Sequence, residues 1–268
     1  MPTVKIPTKI CRSSLYAVTS VALSLLVVGE WGSFAQPVLA VETENHAEKE
    51  SRLKGQVLGG LFNRWTFDQQ KVDESPTGFT ALPYGDGPVA SWTIRSDAEA
   101  PSSPNIVEVT SPCNVAACSQ LLVASGFEYE YPDVSVRLRW PSEGAGGAGG
   151  LVFGVKDAKN FHAALVDLGA RTVTVIRVND GQETVIGETP ITPKAGAWHS
   201  LRVQRNTIIS KDFIETTFDG QMLPSVQDQT LGIGRVGLVV RGKMTLHFDS
   251  LHAVPLFSHR PLSAPAAY

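Results

Sequence analysis

The sequence predicts an all-β protein, and three observations carry the prediction. Runs rich in Val, Ile, Thr and aromatic side chains alternate apolar with polar residues. Turn signals at DAKN (157–160), DLGAR (167–171), NDGQ (179–182) and PKAGA (193–197) recur at a spacing of roughly 8 to 12 residues, as in a sandwich or barrel. Helical periodicity is absent over any window of a dozen residues in this half of the chain, where Gly or Pro interrupts each run before a helix could propagate.

The elements follow in order. The first half is the less regular, with strands expected at RWTFD (64–68), ASWTIR (90–95), NIVEVT (105–110) and QLLVAS (120–125), joined by longer loops. The second half gives DVSVRLRW (133–140), GLVFGV (150–155), NFHAALVD (160–167), RTVTVIRV (171–178), WHSLRVQR (198–205), FIETTFDG (213–220), GRVGLVVR (234–241) and MTLHFDSL (244–251). Alternation assigns faces in four of these. Val134, Val136, Leu138 and Trp140 point inward while Ser135, Arg137 and Arg139 point out; Leu201 and Val203 are inside with Arg202 outside. Val236, Leu238 and Val240 are inward, as are Met244, Leu246 and Phe248, leaving Thr245, His247 and Asp249 outward and each of the four strands with one wet face. SEGAGGAGG (142–150) reads as a flexible surface loop whose glycines would also let a ligand or another chain come close to the backbone.

The ends of the chain read differently. Lys5, Lys9 and Arg12 precede a fourteen-residue apolar run, Leu15 to Val28, followed by small residues at SFA and VLA. That is the pattern of a secretory signal peptide over residues 1–40, cut after Ala35 or Ala40, since about 20 residues are needed to span a bilayer. An uncleaved anchor is the alternative. Residues 41–56 form a charged leader, 57–254 one domain, and 255–268 a Pro-rich flexible tail. Export places the protein in the periplasm or outside the cell, with no membrane association after cleavage. Of three cysteines, Cys11 leaves with the signal, and Cys113 and Cys118 are expected to form a short disulfide in an oxidising compartment. The whole chain carries a formal charge of -3, and removing residues 1–40 leaves 20 basic against 25 acidic residues, a balance that excludes wholesale nucleic-acid binding.

WTFD (65–68), PTGF (76–79), SWTIRSDAEAPSSPNIV (91–107), GGLVFGVKDAKNFHAALVD (149–167), GAWHSLRV (196–203), FDG (218–220), GRVGLVV (234–240) and FDSLHAV (248–254) together make the chain resemble the concanavalin A-like lectin and glucanase superfamily, particularly laminin-G-like exported bacterial proteins. The resemblance implies a jelly-roll sandwich of two antiparallel sheets, one of them curved, whose concave face or rim loops bind carbohydrate in many relatives. Family 16 glycoside hydrolases and 3-keto-disaccharide hydrolase domains share that architecture, so the fold alone does not choose between binding and catalysis.

The hydrolase reading needs paired carboxyl groups. The nearest string to the family 16 ExDxxE strand is FEYEYPD, with Glu128, Glu130 and Asp133, but Pro132 breaks it and a separate strand starts at once. No nucleophile elbow, zinc helix or phosphate loop occurs, and His247 with Asp249 reads as a solvated pair. No cofactor is expected; calcium is the candidate ion, through Asp157 and Asn160 or Asp97 and Glu99, residues that ordinary turns also select. For sugar binding, Arg137, Arg139 and Arg202 project opposite the core and His162 on a neighbouring segment would join them, their guanidinium forks meeting hydroxyl or carboxylate oxygens. Trp198 is the candidate stacking ring, since Trp140 falls on the core side. The expectation is therefore an exported, non-catalytic domain that binds a glycan or cell-envelope component, with a glycoside hydrolase-like enzyme and a protein-binding adhesion module as alternatives.

Overall fold

The computed structural model describes residues 62–114, 118–141, 146–194 and 196–256. The expected signal peptide, the charged leader and nearly all of the tail lie outside them. Sixteen strands and no helix make up the described chain: β1 Asn63–Trp65, β2 Phe79–Tyr84, β3 Ser91–Ser96, β4 Asn105–Pro112, β5 Ser119–Ala124, β6 Pro132–Arg139, β7 Ala148–Asp157, β8 Asn160–Asp167, β9 Thr172–Asn179, β10 Gln182–Pro190, β11 His199–Ile208, β12 Lys211–Phe218, β13 Gln221–Met222, β14 Val226–Gln227, β15 Arg235–Arg241 and β16 Lys243–Pro255.

They form two antiparallel sheets. The nine-stranded sheet runs β13-β12-β11-β6-β16-β4-β3, with β1 beside β16 and β14 beside β12; the seven-stranded sheet runs β10-β9-β8-β7-β15-β5-β2. The main core lies between them, where Trp92, Val136, Leu138, Leu201, Leu246 and Phe248 of the first sheet meet Leu122, Leu151, Phe153, Val175 and Leu238 of the second. The strict alternation of β6, buried at Val134, Val136 and Leu138 and open between them, is the sequence pattern made physical.

The seven-stranded sheet departs from that pattern. Leu121, Val123, Val152, Phe161, Ala163, Leu165, Ile176, Val178 and Val239 form a second apolar cluster on its other face. The expected wet face of β15 is therefore absent: Val239 is as buried as Leu238. The sheet curls over this cluster. Tyr84 of the edge strand β2 meets Phe161 of β8 edge-to-face at 5.4 Å and donates its hydroxyl to the Gly181 carbonyl at 3.3 Å, contacts that a flat sheet with about 4.8 Å between strands would forbid.

The glycine-rich stretch is also corrected in part. Gly149 and Gly150 belong to β7, and the close approach they allow is internal: a Cβ on Gly150 would stand 1.9 Å from the Ala164 carbonyl oxygen, and one on Gly149 2.0 Å from Leu246. Cys113 and Cys118 are disulfide-bonded beside Gln120, whose side chain also bonds Ala90 N at 3.1 Å and the Pro88 carbonyl at 3.2 Å. Gln120 thus ties the disulfide to the segment that enters β3.

Candidate functional site

Register across the nine-stranded sheet builds the site. Arg64 of β1 lies opposite His252 of β16, His252 opposite Ser135 of β6, Ser135 opposite Arg202 of β11, and Arg202 opposite Thr217 of β12. Residues directly opposite in antiparallel strands share a face, so these five make one polar row on the outer surface. A second row runs Asp249, Arg137, Ser200. All of these except the buried Asp249, together with Pro101, Gly220 and Ser250, line a concavity of about 490 Å³, within the usual size of ligand sites.

Two of the residues expected for sugar binding, Arg137 and Arg202, meet in this concavity. Arg202 is engaged: its Nε and Nη2 donate to the two Asp133 oxygens at 2.7 and 2.5 Å. Arg139 shares the face but not the concavity. Its guanidinium pairs with Asp97 and Glu99, approaches His247 Nδ1 at 3.3 Å and covers the Trp198 ring at 4.7 Å, so Trp198 is itself capped by Arg139.

His162 is not part of the set. It belongs to β8 of the other sheet, opposite Phe153, and points into the sandwich, fully buried. There it stacks on Phe153 at 5.2 Å, and its Nε2 lies 3.1 Å from Asp228, which Arg177 also pairs. Burial lowers the His162 pKa, and nearby Arg205 and Arg177 lower it further against the pull of Asp228. Burial opposes ionisation of Asp228, yet bonds from His162, Thr230 N and Arg177 hold its carboxyl far below the usual range. With Arg205 bonded to Asp212 at 2.7 Å, these groups are a charge network inside the fold. The expectation failed because alternation assigns a face of a strand but not which sheet holds that strand.

The sequence missed His252 and Arg64. A bulge between Asp249 and His252, with Ser250 at φ 50°, shifts the alternation of β16. Met244, Leu246 and Phe248 face the core before it and Leu251 and Ala253 after it, so His252 turns outward. Its Nε2 is buried without a hydrogen-bond partner, and burial, then Arg64, lowers its pKa.

The carboxylates singled out in the sequence take separate surroundings. Glu128 and Glu130 sit in the β5–β6 connection, outside the strands, while Asp133 is the partner of Arg202. Asp249, expected in the open beside His247, is fully buried: it accepts from Ser102 N at 2.6 Å and Ser250 N at 2.5 Å, while Asp68 accepts from the Ser102 hydroxyl at 2.8 Å. His247 turns instead to Glu108 at 3.2 Å. Asp157 caps its own turn through Lys159 N at 2.7 Å, and Asp97 likewise accepts from Glu99 N at 2.9 Å. Among the described residues no three His, Cys, Asp or Glu side chains gather to hold a metal ion.

No family model matches the chain, and no curated protein does. Among solved structures, carbohydrate binding module CBM66 from Bacillus subtilis superposes with a TM-score of 0.52 at 20% identity, over 66% of this chain and 96% of that one. A Bacillus subtilis protein of unknown function with a galectin-like fold does so with a TM-score of 0.50 at 8% identity, over 73% and 96%. The fold is a concanavalin A-like jelly-roll sandwich. In this concanavalin A-like sandwich the concave face belongs to the curled seven-stranded sheet and is filled by apolar side chains. The polar concavity lies on the outer face of the other sheet.

Proposed function

We propose that the chain is an exported, non-catalytic carbohydrate-associated domain that binds a glycan or cell-envelope component on the outer face of its nine-stranded sheet. The observation that carries this reading is the pair of polar rows around Arg137 and Arg202, which offer guanidinium, imidazole and hydroxyl groups in one concavity. Such groups match the dense hydroxyls of a sugar. The fold shared with a carbohydrate binding module supports the reading, and the Cys113–Cys118 disulfide supports export. The burial of Asp249 and the pairing of Asp133 with Arg202 support a binding role over catalysis by these two carboxylates.

A glycan array probed with the purified protein tests it. Binding to at least one glycan that Arg137→Ala weakens tenfold or more is expected, with no sugar released from the bound polymer. Sugar release that Glu128→Gln with Glu130→Gln abolishes would favour the hydrolase instead. A silent array with and without calcium would favour a protein-binding adhesion module.

A further inference from the structure

We propose that the concavity selects an anionic glycan, received at its carboxylate or sulfate group by Arg64 and Arg137. This deepens the glycan-binding reading and rests on it.

The ion pairs of the outer face carry the argument. Arg95 pairs with Asp73 and Glu108, Arg139 with Asp97 and Glu99, and Arg202 with Asp133. Arg64 and Arg137, both exposed, have no carboxylate partner among the described residues, and both line the concavity. A sheet face that neutralises three of its arginines and leaves two unneutralised in one hollow presents a local field of positive sign, in a chain whose net charge is negative. Asp249, opposite Arg137 in register, is turned under Ser102 and does not cancel it.

The lining decides between charged and neutral sugars. It contains no Trp, Tyr or Phe, so a neutral sugar would lack the aromatic platform on which its apolar face gains most of its binding. What remains is charge and hydrogen bonding. A guanidinium fork meets a two-oxygen anion with paired, charge-assisted bonds, the geometry that Arg202 and Asp133 already display a few ångströms away. Ser135, Ser200, Thr217 and Ser250 supply hydroxyls for the rest of the ring.

The test is calorimetric titration of the full chain with four oligosaccharides of equal length: a galacturonate oligomer, its methyl ester, a sulfated glucan oligomer and the unsulfated glucan. At least one charged oligomer is expected to bind tenfold or more tightly than its neutral counterpart. Galacturonate ahead of its ester identifies a carboxylate, and sulfated ahead of unsulfated glucan a sulfate. Arg64→Ala and Arg137→Ala should each remove most of the preference, Arg137→Lys should keep part of it, and Arg171→Ala, in the β8–β9 turn of the other sheet, should change nothing. Equal binding of charged and neutral oligomers with loss on Arg137→Ala overturns the anionic preference and leaves the glycan site standing. A charge preference that Arg64→Ala and Arg137→Ala leave intact overturns the assignment to this concavity. Binding of no oligomer here, together with a silent glycan array, overturns the glycan reading itself.

Discussion

Arg241 and Glu183 are joined by two hydrogen bonds, of 3.0 and 2.6 Å, although three strands lie between β15 and β10. Four strand spacings in a flat sheet would separate them by about 19 Å. The pair therefore records how tightly the seven-stranded sheet curls over its second apolar cluster, and both side chains are more than two-thirds buried. Removing either partner should loosen that curl. Denaturant unfolding of Arg241→Gln, Glu183→Gln and the double variant is expected to give a coupling energy of about 1 kcal/mol; strict additivity would mean that the pair holds nothing together.

Asp249 makes stability depend on pH in an unusual direction for a carboxylate. Burial pushes its pKa up to about 6, against the N–H groups of Ser102 and Ser250 and with the neighbouring Asp68 adding to the rise. A group with a raised folded-state pKa stabilises the fold fully below its unfolded value and loses that contribution as pH climbs through the folded one. Between pH 4 and pH 7 the wild type should lose about 2 kcal/mol relative to Asp249→Asn. Thermal melts of both proteins across that range read the difference, and a gap that does not change with pH contradicts it.

Gly150 is fixed by contact rather than by flexibility. Its hypothetical Cβ would collide with the Ala164 carbonyl of the adjacent strand, an atom that cannot move without breaking the β7–β8 ladder. Gly150→Ala is expected to cost about 3 kcal/mol, whereas the same change at Gly126, where nothing lies within 4 Å, is limited to the strain of its positive φ. Comparable losses at the two sites would show that steric closure at β7 is not what selects the glycine.

The sandwich was legible because most strands announce themselves by period-two alternation or by a continuous apolar run. Two strands of more than two residues were missed, β2 and β10, and they are the two edges of the seven-stranded sheet. Edge strands carry residues that disqualify a central strand: FTALPY contains Pro83, and QETVIGETP is polar, bulged near Gly187 and closed by Pro190. The second apolar cluster was present as the near-continuous runs GLVFGV and NFHAALVD, which signal strands buried on both faces. Half the site was readable too. Alternation placed Arg137 and Arg202 outward, but Arg64 and His252 join them only through inter-strand register, and the bulge at Ser250 reverses the parity on which a reading of β16 depends. His162 shows the complementary limit, since nothing in its strand says that Asp228, sixty-six residues away, will meet it inside.

The most direct measurement is to locate a bound glycan by NMR, following side-chain Nε–Hε and backbone amide shifts during titration with the tightest-binding oligomer. The account predicts that Arg64, Arg137, Arg202 and His252 move together, with saturation, while residues of the second apolar cluster such as Val123 and Ile176 stay still. Shifts confined to the concave face of the seven-stranded sheet, with the Arg137 row unchanged, would contradict it.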